Sequence, residues 1–141
     1  MNKRKIRNER LKMNYEDIEY ILFTVKQSRE SIYDLGIDLK EREFRIETTD
    51  LYGHITGPQI NGKFRRSHAQ KFLSSLNDLN FLTWPQLEQG ILPIDLKSAT
   101  VMYNIDGKMY YTTGNNTKDL ADLHKSIEQL IGTTFGSYKY Y

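Results

Sequence analysis

At 141 residues, 38% hydrophobic and 27% charged, the chain has the size and composition of one folded domain with a real core, which excludes an intrinsically disordered protein. It contains no cysteine, so disulfides, thiolate metal sites and a cysteine nucleophile are excluded. No run approaches the ~20 apolar residues that cross a bilayer, and the basic N-terminus lacks the apolar stretch of a signal peptide, so no membrane association and a cytoplasmic location are expected. The net charge of +2 conceals an asymmetry. Residues 1–13 hold six basic residues against Glu9, a balance of +5, and the remainder holds 14 basic and 17 acidic residues, a balance of −3.

The chain divides into a basic arm, 1–13, and a single α+β domain, 14–141. In the arm, Ile6 and Met13 fit one helical face. Arg4 and Arg7 are candidates for contact with nucleic acid or another anionic surface; a solvated terminus is the structural alternative. Asn14 and Asp17 form a candidate capping pair. Ile18, Ile21, Leu22 and Val25 fit a helix face, yet Tyr20–Val25 is dense in β-formers. A buried strand at about Ile18–Lys26 is the reading, with helix as its alternative. Tyr33, Leu35, Ile37 and Leu39 then alternate with Asp34, Gly36, Asp38 and Lys40, the pattern of a half-solvated antiparallel strand. A turn at Lys40–Arg42 returns the chain through Phe44, Ile46 and Thr48.

Leu51–Phe64 reads as loop, broken by Gly53, Gly57-Pro58 and Asn61-Gly62. Ser67 with Gln70 predicts a capping box for a helix whose stripe is Phe72, Leu73, Leu76 and Leu79. Gln86–Lys97 reads as a linker with an apolar patch at Ile91, Leu92 and Ile94. Asp106-Gly107, between two runs of β-branched and aromatic residues, predicts a tight hairpin with Val101, Tyr103 and Ile105 on one face and Thr100, Met102 and Asn104 on the other. A last helix buries Leu120, Leu123, Ile127, Leu130 and Ile131, capped by Asn116 or Thr117 and ended by Gly132. The tail from Phe135 is rich in tyrosine. Two strand–turn–strand–loop–helix units, Ser31–Leu79 and Ala99–Ile131, imply a two-layer fold: one antiparallel sheet with two main helices on one face.

Few stretches look like chemistry. Gly57–Phe64 nearly matches a phosphate-binding loop, but Phe64 stands where magnesium needs Ser or Thr, and hairpins precede it, so the match is read as chance. Lys63, Arg65, Arg66, His68 and Lys71 surround a predicted helix start, where free N–H groups favour an anion; a solvated basic turn paired with Glu or Asp of the acidic body is the structural alternative. His54, His68 and His124 have no metal-pair spacing, and no cofactor or metal is expected. Asp50 and His54 can meet in a loop, and His124 reads as a packed structural histidine. No nucleophile-elbow pattern occurs, and the acid pairs Glu41/Glu43 and Asp119/Asp122 sit at turns or helix starts. Trp84, Tyr103, Tyr110 and Tyr111 are the candidate anchors for a protein partner.

The second half resembles a loose group of small, uncharacterised bacterial proteins. The resemblance lies in a leucine-rich helix (Leu73, Leu76, Leu79), Phe81 and Trp84, a hairpin over Val101–Thr113, the Gly114-Asn115-Asn116 turn and a final helix. Where that group has a further Trp at the start of its second hairpin, this chain has Ala99 or Thr100. The resemblance implies a two-layer α+β domain and no function. The repeated hairpin–helix plan is also similar to that of small inhibitor proteins that bind an enzyme through a sheet face, and small inhibitors of host or phage defence systems fall in the same class of interaction module. The expected function is a non-enzymatic module, monomeric or homodimeric through an open sheet edge, that binds a protein. Nucleic-acid binding through the arm and the Lys63–Lys71 cluster is the second expectation, and an enzyme with a site near His54 and His68 the third.

Overall fold

The computed structural model describes residues 14–28, 31–50, 52–87 and 99–136. Six strands form one sheet: β1 (Ile18–Ser28), β2 (Ser31–Asp38), β3 (Glu43–Thr49), β4 (Ile60–Lys63), β5 (Ala99–Ile105) and β6 (Lys108–Thr112). Their order is β4-β3-β2-β1-β5-β6, with every neighbouring pair antiparallel. Two helices complete the fold, α1 (Arg66–Asp78) and α2 (Thr117–Ile131).

The ambiguous first segment is a strand because both of its edges are paired. Phe23 sits between Leu35 on β2 and Val101 on β5, and Ile21 between Ile37 and Tyr103. Period 2 then places Ile21, Phe23 and Val25 on one face, all buried. Cross-strand register continues this face through Phe44 and Ile46 of β3 and Ala99 and Ile105 of β5. Phe72 and Leu76 of α1 and Leu120, Leu123, Ile127 and Leu130 of α2 complete the same core. A β2–β3–β4–α1 unit and a β5–β6–α2 unit therefore flank β1, which joins them in the middle of the sheet.

The local signals at α2 behave as capping chemistry requires. Asn116 Oδ1 accepts from the Asp119 N–H at 2.9 Å, and Gly132, at φ 73°, ends the helix with its N–H on the Glu128 carbonyl. Asp106 and Gly107, at φ 51° and 79°, make the two-residue β5–β6 turn. Two expectations are corrected. Ile60–Lys63, read as loop, is the edge strand β4, because Ile60, Asn61, Gly62 and Lys63 pair with Ile46, Arg45, Phe44 and Glu43. Ser67 does not cap α1: the helix starts at Arg66, and the N-cap Arg65 makes no side-chain cap bond.

Gly62 is required by close approach. A Cβ there would lie 2.5 Å from the Phe44 ring, which is packed in the core. Gly62→Ala is expected to displace Phe44 and to lower unfolding stability by ~1–3 kcal/mol in urea titrations.

Candidate functional site

Hydrogen bonds among Asp50, Tyr52, Gly53 and His54 brace the described residues of the β3–β4 hairpin tip. Asp50 Oδ1 accepts the Tyr52 and His54 N–H groups, both at 2.9 Å, and the Asp50 N–H returns to the His54 carbonyl at 3.0 Å. Gly53 takes the positive φ of 81° that this turn needs, and its N–H reaches the Asp50 carbonyl. His54 Nδ1 lies 3.2 Å from Asp50 Oδ2. The His54 N–H, before the other contacts, holds the Asp50 carboxyl below its ordinary pKa. A Thr49–Ile55 bridge and the Thr56 N–H on the Thr48 carbonyl close the base. This scaffold displays Tyr52 (85% exposed), Ile55 (66%) and, at the start of β4, Ile60 (47%). Those are three of the four large hydrophobic side chains exposed among the described residues; Met109 is the other.

The sheet face away from the described helices carries Tyr20, Leu22, Arg45, Asn61, Met102 and Tyr111. At its β3–β4 end a groove of ≈ 510 Å³ runs between Tyr20, Asp38, Glu43, Arg45 and Lys63 over Gly36 and Gly62. The Tyr20 ring occupies the space where a side chain at position 36 would stand. Burial raises the Tyr20 hydroxyl pKa against the opposing pull of Arg45, and burial also raises that of Asp34, whose carboxylate accepts from Thr24 Oγ1 at 2.9 Å. Arg45 pairs with Glu47 at 3.8 Å and Lys63 with Glu43 at 3.7 Å. The groove thus offers balanced ion pairs, not a cradle of one sign.

The four aromatic candidates separate. Trp84 and Tyr103 are each 1% exposed, and Tyr110 is half-buried, stacked on Tyr103 at 5.3 Å. Tyr103 and Tyr110 are on the helix-covered face, so Trp84 and Tyr103 present no surface to a partner. Tyr111 lies on the opposite face, across from Met102.

The basic candidates separate as well, because a helix turns ~100° per residue. Lys63 is on the open sheet face, Arg65 precedes α1, and Arg66 shares a cleft with Gln70, Leu73 and Asn77 beside Asn14–Glu16. His68 and Lys71 instead face α2, beside Ser126 and Gln129. Arg4 and Arg7 lie outside the described residues, as does the patch at Ile91, Leu92 and Ile94. His54 and His68 occupy different places, one on the hairpin tip and one between the helices. Among the described residues no group of three or more His, Cys, Asp or Glu is arranged to hold a metal ion, and no helix is long and apolar enough to cross a membrane.

No protein-family model matches the chain, and no curated protein matches it. The hairpin tip is hard to see in the sequence because Gly53, Gly57 and Pro58 mark it only as loop. Its readable signal is the presence of Tyr52, Ile55 and Ile60 in a segment that polar residues usually fill.

Proposed function

We propose that the protein is a non-enzymatic interaction module, inhibitor- or adaptor-like, that binds another protein through the β3–β4 tip. The observation that supports this reading is the concentration of exposed apolar side chains on a tip already ordered by Asp50. Exposed Tyr52 and Ile55 gain ~25 cal/mol per Å² of apolar surface when a partner covers them. A tip held by hydrogen bonds before binding loses less conformational entropy on contact than a free loop. Aromatic residues in that setting are the usual anchors of protein interfaces.

The test is capture by the immobilised full chain beside a Tyr52→Ala/Ile55→Ala variant, quantified by mass spectrometry. At least one protein is expected on the wild type and at least about tenfold less of it on the variant, the size of a ~1.4 kcal/mol loss. Equal recovery on both would count against the tip. Salt-sensitive binding of RNA or DNA in an anisotropy titration would favour the nucleic-acid reading instead.

A further inference from the structure

The two edges of the sheet are treated differently. At the β6 edge the Leu87 N–H bonds to the Tyr111 carbonyl at 2.8 Å, Gln86 bridges Thr112, and Thr112 Oγ1 donates to the Pro85 carbonyl at 2.6 Å. Residues 85–87 therefore cover the Tyr111–Thr112 end of that edge. β4 ends the other side of the sheet, with no described strand beyond it.

The direction of the β4 backbone groups follows from one bond. The Phe64 N–H reaches the Arg42 carbonyl at 3.0 Å, which makes Arg42–Phe64 a hydrogen-bonded pair. Such pairs alternate along an antiparallel ladder, so Gly62 and Ile60 also turn their N–H and C=O toward β3. Asn61 and Lys63 turn theirs outward, unused by the sheet.

We infer that β4 pairs with β4 of a second copy of this chain, antiparallel about a two-fold axis at Asn61. A two-fold that joins two edges antiparallel stands normal to the sheet, so both helix layers stay on one side and paired residues share a face. The residue on the axis must then pair with itself. With Asn61 there, its N–H and C=O bond to Asn61 of the second copy, and Lys63 comes opposite Gln59 of that copy. Within the chain Gln59 Nε2 donates to Glu47 Oε1 at 2.9 Å, so each Lys63 approaches a Glu47 carboxylate on the open face. Centring on Gly62 would place the two Lys63 side chains diagonally beside each other. Centring on Ile60 would set Lys63 against Gly57, where the Thr49–Ile55 bridge shows that the ladder has shifted register. Charge complementarity thus selects both the occupant and the register. The Lys63 end of each β4 meets the Gln59–Glu47 end of the other.

Sedimentation of the full chain over a concentration series, with amide exchange on the same samples, tests this. The expected mass rises from 16.6 kDa toward the dimer, and exchange at Asn61 and Lys63 slows as concentration rises. Lys63→Glu, which reverses one charged contact, and Asn61→Pro, which removes a backbone N–H from the seam, are each expected to shift the equilibrium to monomer by about tenfold or more. Lys63→Glu combined with Glu47→Lys is expected to restore the dimer. A single 16.6 kDa species at every concentration, with exchange at Asn61 and Lys63 unchanged, overturns the inference; so does a dimer indifferent to these substitutions. Should a variant unfold by circular dichroism, the wild-type exchange data decide. The Tyr52→Ala/Ile55→Ala variant is expected to dimerise normally, which separates failure of this pairing from failure of the tip as a partner site.

Discussion

Trp84→Ala is expected to destabilise the protein by about 3–5 kcal/mol, at the upper end of what one truncated core side chain costs. The indole is 1% exposed, packs edge-on against Phe81 at a centroid distance of 5.0 Å, and donates Nε1–H to the Leu79 carbonyl at 3.0 Å. Removing it opens a large void and strands a carbonyl at the end of α1. Phe81 in turn touches Tyr103 at 4.9 Å, so the void reaches the sheet. Urea unfolding followed by far-UV circular dichroism reads the loss, since the variant has no tryptophan to report. Tyr52→Ala, at an 85% exposed position, is expected to change stability by no more than ~0.5 kcal/mol. Comparable losses at the two sites would contradict the assignment of Trp84 to the core and Tyr52 to the surface.

The second large effect is a pH dependence set by His124. Its ring is fully buried, edge-on to Phe23 and stacked on Phe135 at 4.2 Å. Nε2 donates to the Phe135 carbonyl at 2.7 Å, while the Phe135 N–H donates to Glu128 Oε2 at 2.9 Å. This clamp fastens the chain after α2 against the core. Burial pushes the imidazole pKa below its ordinary value, against the opposite pulls of the Phe135 carbonyl and the Glu128 carboxylate. The unfolded chain therefore binds the proton more readily. The stability that depends on neutral His124 is complete above about pH 6.5 and is lost as the pH falls toward the folded-state value, by up to ~1.4 kcal/mol per pH unit. Asp34, with a raised pKa, acts in the opposite direction nearer the carboxylate range. His124→Gln keeps an N–H donor in the Nε2 position without the titration. It is expected to flatten the melting temperature between about pH 5 and about pH 7. An unchanged slope would mean that another group carries the dependence.

The fold was legible where pattern and turn chemistry agreed. Alternation in Tyr33–Lys40, Asp106-Gly107 between two β-rich runs, and the Asn116 and Gly132 caps each name an element by local physics alone. β1 was harder, because Ile18, Ile21, Leu22 and Val25 fit two periods and only pairing on both sides decides between them. β4 was hidden because four residues containing Asn61-Gly62 look like a turn. Its strand character comes from pairing with β3, and the Phe44 ring leaves room only for glycine at position 62. The candidate site was less legible still. Trp84, Tyr103 and Tyr111 look alike in sequence, and only the sheet register and the packing of Phe81 separate core from face. The basic run 63–71 looks like one patch in sequence, but helical rotation sends Arg66 and His68 to different clefts.

A binding isotherm for a captured protein partner, measured with the wild type, Tyr52→Ala/Ile55→Ala and Tyr111→Ala, decides where the interface lies. A tip-centred interface predicts about 100-fold weaker binding for the double variant, as expected for the loss of hot-spot contacts, and an affinity near wild type for Tyr111→Ala. Wild-type affinity in the double variant together with weak binding by Tyr111→Ala would contradict a tip-centred interface and move it to the open face of the sheet.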